Sequence, residues 1–283
     1  MIVLLDAANY VLILMLVALG LAIIFGLMNV INMAHGELMM IGAYVVLLAQ
    51  EAGLSIWAGM LAAPLVVAAV GSVIEQLIVK RVYSRLLDTI LATWGLSLIL
   101  KQAIVLGFGP GSYSVPNPLP ALVSVFGSPY PLYRLFIMLV AVLALAATFG
   151  LFFGTRWGLT ARSVIANRPM AACLGIDTRR LDRATFAFGS GLAGLAGAVM
   201  APIVSLDPQF GVGFLVPAFL SILVGGLGSV AAPLAGAGAI GVTDTLVSAF
   251  YSPVWAQGVV FTVAIVLIRL FPRGIAGRRT RSV

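Results

Sequence analysis

Charge is what this sequence has least of. Of 283 residues only 9% are Asp, Glu, Lys or Arg, against about 25% in an ordinary soluble domain. A water-facing globular surface cannot be built from so few. There is one cysteine, Cys173, which excludes an internal disulfide, and one histidine, His35. With them goes any expectation of a metal cluster. Residues 1–6 contain neither Lys nor Arg, so the basic start of a cleavable signal peptide is missing and the first apolar run is expected to remain as a helix. No segment between the apolar runs reaches ~30 residues, too few to support a core of its own. A separate soluble catalytic domain is thereby excluded, and the chain reads as one transmembrane domain over 1–283.

What is present is hydrocarbon. Hydrophobic residues make up 62% of the chain and mean hydropathy is +1.16. Inside a bilayer every backbone polar group must be paired within its own element, so runs of ~20 apolar residues become spanning helices. Barrel strands would alternate with period two over ~10 residues, and these runs do not alternate. Helices are predicted over about 9–27, 34–50, 56–79, 86–108, 132–154, 184–204, 214–227, 230–250 and 254–271. The fold class is therefore all-α and polytopic, with eight or nine crossings. The segment 214–227 is short enough to be a half-helix or re-entrant.

The net charge of +7 sits in short loops, which is the pattern of topology signals and not of a nucleic-acid surface. Lys80, Arg81 and Arg85 follow the third run. Arg156, Arg162, Arg168, Arg179, Arg180 and Arg183 crowd the longest polar stretch, 155–183, against Asp177 and Asp182. Arg273, Arg278, Arg279 and Arg281 mark the tail. Positive loops stay in the cytoplasm. This puts the N-terminus and the uncharged loop 109–131 outside, and the C-terminus inside.

Polar side chains at membrane depth are expensive and call for a partner or a cavity. Asn29, Asn32, His35, Gly36 and Glu37 interrupt the apolar sequence between the first two runs. Two readings stand. One is a capped helix entry, with Asn32 as cap, Glu37 at the positive dipole end and His35 bonded to neighbours. The other is a substrate-pathway or gating element. Thr93 and Ser97 lie mid-helix, where hydroxyls ordinarily bond back to the preceding turn. Lys101 either snorkels to the outer interface or pairs with an intramembrane acid, Glu75 or Asp244. Glu75 is expected to pair at the surface with Lys80 or Arg81, and Asp244 to serve either a helix–helix hydrogen bond or the pathway. Ser190, Gly194 and Ala198, Ala193 and Gly197, and Ala237 and Gly241 repeat every four residues, a spacing that lets helix backbones approach closely. It serves packing within the chain or against a second membrane subunit. Gly225, Gly226, Gly228 and Ser229 lack the lysine and preceding strand of a phosphate loop, so nucleotide binding is dismissed. In 155–183, Thr160 is expected to cap a short helix to about Asn167, Pro169 to open another and Gly175 to end it. Val164, Ile165, Met170, Ala171 and Leu174 would give these helices an apolar side. That side either lies on lipid or docks on a cytosolic partner.

These residues resemble a known family, the permease subunits of ABC importers for branched-chain amino acids, with the related urea and short-amide permeases. The resemblance covers nearly the whole chain. It is carried by Asn29-Val30-Ile31-Asn32-Met33-Ala34-His35-Gly36-Glu37 with Gly42-Ala43-Tyr44, by Thr93-Trp94-Gly95-Leu96-Ser97, by Arg162, Asn167 and Gly175-Ile176, by Ser190-Gly191-Leu192-Ala193-Gly194, by Gly225-Gly226-Leu227-Gly228-Ser229 and by Phe271-Pro272-Arg273-Gly274. It implies a bacterial inner-membrane location and no cofactor on this chain, with ATP bound by partners and the chain itself no enzyme. The implied partners are a second paralogous permease, two cytosolic ATPase subunits, an extracytoplasmic solute-binding protein and membrane lipid. In that setting Arg162, Asn167, Arg168, Ala171 and Gly175 belong to the element that seats on the ATPase. Asn29, Asn32, His35, Glu37, Thr93 and Asp244 are the candidates for the substrate pathway, worked by alternating access. The Thr93–Ser97 stretch leans toward the urea and amide branch, whereas Lys101 stands where that branch usually has glutamine and suits a carboxylate-bearing amino acid. Two other classes find less support in the sequence. An ion-coupled transporter needs matching inverted repeats, and the breaks near 29–36 and 225–229 match poorly. An intramembrane enzyme needs a nucleophile–base pair or metal set, which the sequence does not offer.

Overall fold

The structure is a computed structural model that describes residues 2–83, 85–125, 127–226, 230–272 and 274–276. Among them are eleven α-helices: α1 (Ile2–Met28), α2 (His35–Glu51), α3 (Ile56–Leu77), α4 (Leu86–Phe108), α5 (Leu132–Gly154), α6 (Arg156–Ala166), α7 (Arg168–Cys173), α8 (Thr178–Met200), α9 (Val212–Gly225), α10 (Ala232–Phe250) and α11 (Pro253–Leu270). Seven helices, α1, α3, α4, α5, α8, α10 and α11, are long and apolar enough to cross a membrane. The other two sizeable apolar helices are shorter. At 1.5 Å per residue the 17 residues of α2 and 14 of α9 reach only about 25 and 21 Å, short of a hydrocarbon core of ~30 Å.

Apolar all round, α1 is the central post, as such a helix must be. Leu14, Leu16, Val17, Ala18, Leu19 and Ile24 are sealed on every side. Around it stand α8, α10, α5 and α9, while α2 and α3 close on the far side of α8. The small-residue spacing is used for this packing within the chain. A Cβ on Gly20 of α1 would lie 2.7 Å from the Gly189 carbonyl of α8, and one on Gly42 of α2 would land on the Gly194 backbone. Helices α4 and α11 are peripheral. α4 leans chiefly on α2 and exposes Leu87, Leu91, Trp94, Leu98, Ile99 and Leu106.

The two short helices begin at one another. His35, at the start of α2, bonds to Val17, midway along α1, so α2 starts inside the bundle and not at its end. Its second residue, Gly36, abuts Gly211, which caps α9, so closely that a Cβ there would sit 2.6 Å from the Gly211 carbonyl. The half-helix expectation for 214–227 thus holds in length and reappears at α2.

Several local expectations are corrected. The loop 109–131 contains an antiparallel hairpin, β1 (Leu122–Val125) with β2 (Ser128–Pro131), and is pinned by mutual Tyr113–Leu206 backbone bonds of 2.8 Å. Thr160 does not cap: it lies inside α6, its hydroxyl donating to the Arg156 carbonyl, and Thr155 caps instead, accepting from Gly158 N–H at 3.1 Å. Pro169 and Gly175 (φ +84°) stand where expected, in the first turn of α7 and just past its end. The Gly228–Ser229 turn and Arg273, Arg278, Arg279 and Arg281 lie outside the described residues.

Candidate functional site

The polar residues gather in three places. The first is the entry to α2. At the end of α1, Asn29 takes a left-handed backbone (φ +54°), its N–H still bonded to the Phe25 carbonyl at 2.8 Å. The chain then doubles back without helix. Non-helical backbone at this depth needs a supplied partner, and Thr93 of α4 supplies it. Its hydroxyl accepts from Met33 N–H at 3.1 Å and faces the carbonyls of Thr89 (2.8 Å) and Ile31 (3.1 Å) for its one proton. Asn32 accepts from Ala34 N–H through its side chain at 3.1 Å and from His35 N–H through its carbonyl at 3.2 Å. This is a turn just ahead of the helix, not a cap on it. His35 Nε2 donates to the Val17 carbonyl at 3.1 Å. Glu37, in the first turn of α2 where the helix dipole favours a negative charge, pairs with Lys101 of α4 at 3.2 Å. Asn32, His35, Glu37 and Thr93 are all buried.

This settles Lys101 as the partner of an intramembrane acid, and the acid is Glu37, not Glu75 or Asp244. Glu75 is buried and does not pair with Lys80 or Arg81; it accepts a hydrogen bond from Tyr83. Burial, and then that bond, hold the Tyr83 phenol above its ordinary pKa, which keeps it the donor. In this conformation the pathway candidates Asn32, His35, Glu37 and Thr93 are enclosed by protein. Asn29 is separate from them, at the end of the bundle beside α6 and α7.

The second place is an open cavity of about 370 Å³ at the end of the bundle that holds the N-terminus. Asp244 and Ser248 of α10 line it, with Asp6, Asn9 and Tyr10 of α1 and Arg134 of α5. Asp6 accepts from Arg134 and from the Tyr130 hydroxyl, and Asn9 donates to the Arg134 carbonyl at 2.9 Å. Asp244 has no ion-pair partner among the described residues. Of the expected pathway residues it alone faces an open cavity at this end.

The third place is the opposite end. Arg168, at the start of α7, grips Asp182 of α8 with both nitrogens and donates to the Leu27 carbonyl of α1 at 3.2 Å. Asp182 is wholly buried. Asn167 caps α7 through Met170 N–H at 3.0 Å, Ala171 is buried against the bundle, and Arg162 lies over the Phe153 ring at 4.9 Å. The apolar side expected of these helices is divided. Val164 and Ala171 face inward, while Met170 and Leu174 stand 62% and 76% exposed. A cavity of about 800 Å³ between α1 and α6–α7 brings Asn29 together with Asn167 and Arg168.

Sequence reasoning missed Asp6, Asn9, Arg134, Tyr83 and the role of Asp182. The signal was there: with nine acids in the chain, each one beside an apolar run demands a partner.

The bundle thus buries the polar α2 entry and carries an open polar cavity at one end and basic cavities at the other. The model of the branched-chain amino acid transport system permease component matches residues 3–269. The chain belongs to that family. Its relatives include the high-affinity branched-chain amino acid transport system permease protein LivH of Escherichia coli K12, 28% identical over 279 residues that cover 93% of this chain and 91% of the relative. BraD of Pseudomonas aeruginosa is 29% identical over 288 residues, 93% and 91% of the two chains. A probable LivH of Methanocaldococcus jannaschii is 28% identical over 289 residues, 96% and 91%. No solved structure matches. The chain is thus a transport permease component and not a catalytic one, a multi-pass protein of the inner membrane whose family works with other subunits of an ABC transporter.

Proposed function

We propose that this chain is the membrane subunit of an ATP-driven importer for branched-chain amino acids, moving them by alternating access. A second, paralogous permease would pair with it, two cytosolic ATPases would bind beneath, and an extracytoplasmic solute-binding protein would deliver cargo. ATP would be held by the ATPases alone. The basic residues Lys80, Arg81, Arg156, Arg162 and Arg168 share one end of the bundle, and positive ends stay cytoplasmic. That orients the N-terminus and the Asp244 cavity outward. Eight or nine crossings remain the expectation, with α2 and α9 as the short ones.

The observation that carries the reading is α7. Arg168 fastens it to the ends of α1 and α8, yet Met170 and Leu174 are left facing outward, and an ATPase surface is the apolar partner they suit. A push on α7 is then transmitted to the central post. Asp244, unpaired in its open cavity, suits the ammonium of an amino acid. The α2 entry would be the gate. Asn32 Nδ2, His35 Nδ1 and Glu37 Oε2 have no hydrogen-bond partner among the described residues, which leaves them able to take new partners when the entry moves. The element opposite, α4, is lightly held. Movement of α4 would open Lys101 to a solute carboxylate.

The test is uptake into vesicles holding both permeases and the ATPases. Radiolabelled leucine should accumulate only with ATP and be competed by isoleucine and valine. Competition by urea and not by leucine would turn the reading to the urea and short-amide branch, which the lean of Thr93–Ser97 alone supports. Uptake that persists without ATP and collapses with an ionophore would overturn it in favour of ion coupling.

A further inference from the structure

A cavity of about 640 Å³ opens at the basic end, between the last turn of α3 and the first turns of α8. Lys80, Arg81, Arg168, Arg179, Arg180 and Arg183 line it. The carboxylates that face it are Glu75 and Asp182, and both are engaged, Glu75 by the Tyr83 hydroxyl and Asp182 by Arg168. Arg180 has Asp177 at 2.9 Å. Lys80, Arg81, Arg179 and Arg183 have no ion-pair partner among the described residues. Four cations around one concavity repel one another, and a bound anion relieves that repulsion.

The surface leading into the cavity says what kind of anion. Leu61, Leu65, Ala69, Val73 and Leu77 of α3 recur every four residues and are all exposed, which sets them along one ridge that winds slowly round the helix, with Val73 and Leu77 neighbours at its end. Val73 and Leu77, the last of them, are 52% and 54% exposed, and Leu77 follows Gln76 and precedes Lys80, two residues that line the cavity. A soluble phosphate has no use for this stripe. A phospholipid matches both parts, with acyl chains along α3 and its phosphate among the cations.

We propose that this cavity binds the headgroup of an anionic phospholipid of the inner leaflet, with the acyl chains laid on the exposed stripe of α3. The site depends on the chain's crossing a membrane with its basic end at a headgroup layer, and not on the identity of the transported solute. A negative headgroup is preferred because a choline or ethanolamine cation would add to the positive charge already there.

The experiment is lipid binding to the purified full-length chain in detergent, read by native mass spectrometry and by thermal shift. Phosphatidylglycerol is titrated against phosphatidylcholine, with inorganic phosphate as competitor. Phosphatidylglycerol should bind at least tenfold more tightly. The triple variant Lys80→Gln, Arg179→Gln, Arg183→Gln should lose at least tenfold of that affinity, Arg→Lys at the two arginines should restore most of it, and Arg156→Gln, outside the cavity, should leave it unchanged. Equal binding of the two lipids by the unaltered chain overturns the proposal, and that comparison stands even if the triple variant does not fold. Full retention by a folded triple variant overturns it too. Displacement by inorganic phosphate at concentrations matching the lipid would assign the cavity to a soluble anion. Displacement on adding the ATPase subunits would assign it to the ATPase seat. Either result rules out the lipid.

Discussion

The α2 entry and the Asp244 cavity are both polar, and they are built in opposite ways. At the α2 entry, Thr93, Asn32, His35 and Glu37 are enclosed and spend their hydrogen bonds holding non-helical backbone and joining α2 to α1 and α4. At the Asp244 cavity, the network among Asp6, Arg134, Tyr130 and Asn9 is closed on itself and leaves Asp244 free to face an open space. A polar residue in an apolar chain thus either joins helices in this conformation or is left open to whatever enters a cavity. Its partners tell the two apart.

Substitutions can break that distinction. The largest effect on stability is expected at Arg168→Ala, which strands the buried Asp182 carboxylate. Losing one partner of a buried pair costs 3–5 kcal/mol, and the half-exposed arginine brings this to about 3 kcal/mol. Thermal unfolding in detergent measures it, and ATPase stimulation in the assembled transporter should fall with it. Glu37→Gln follows at about 2 kcal/mol, because Lys101, only 21% exposed, loses its counter-charge. Adding Lys101→Met should recover part of that loss in a double-mutant cycle. If the two effects simply add, the pair is not a joint. Thr93→Val should cost about 1–3 kcal/mol by leaving the Met33 N–H unpartnered, with little change in the KM for solute. Asp244→Asn should be the mildest in stability, within about 0.5 kcal/mol, yet should raise the KM for uptake roughly tenfold, as expected when a charged contact to the solute is lost. A stability loss at Asp244 as large as that at Glu37 would erase the distinction between the two places.

Much of the fold was legible because hydrocarbon leaves few choices. The long apolar runs became helices, and their predicted ends fall close to those observed for α3, α4 and α5. The four-residue spacing of small side chains correctly announced close helix contacts. The α6 start was misplaced because Thr155 and Thr160 are both plausible caps, and only the turn after α5 selects the first. The β1–β2 hairpin was missed because a loop rich in Gly and Pro signals turns more strongly than it signals strands of four residues.

The candidate site was legible as a list and not as an arrangement. His35, Glu37, Thr93 and Lys101 all stood out as polar groups in apolar surroundings. Which acid Lys101 meets depends on how α4 lies against α2, across more than 60 residues of chain. Whether a polar group is enclosed or open likewise depends on neighbours from other helices.

By itself the sequence determined that this chain lives in a bilayer as a helical bundle and that its few polar interior residues must be satisfied. These follow from transfer energies and backbone hydrogen bonding, which act on each segment alone. Tertiary structure alone decided the partners: Glu37 with Lys101, Arg168 with Asp182, Thr93 with the turn before α2, and Asp244 with open space. Pairing energies depend on distance and enclosure, and no single segment contains either.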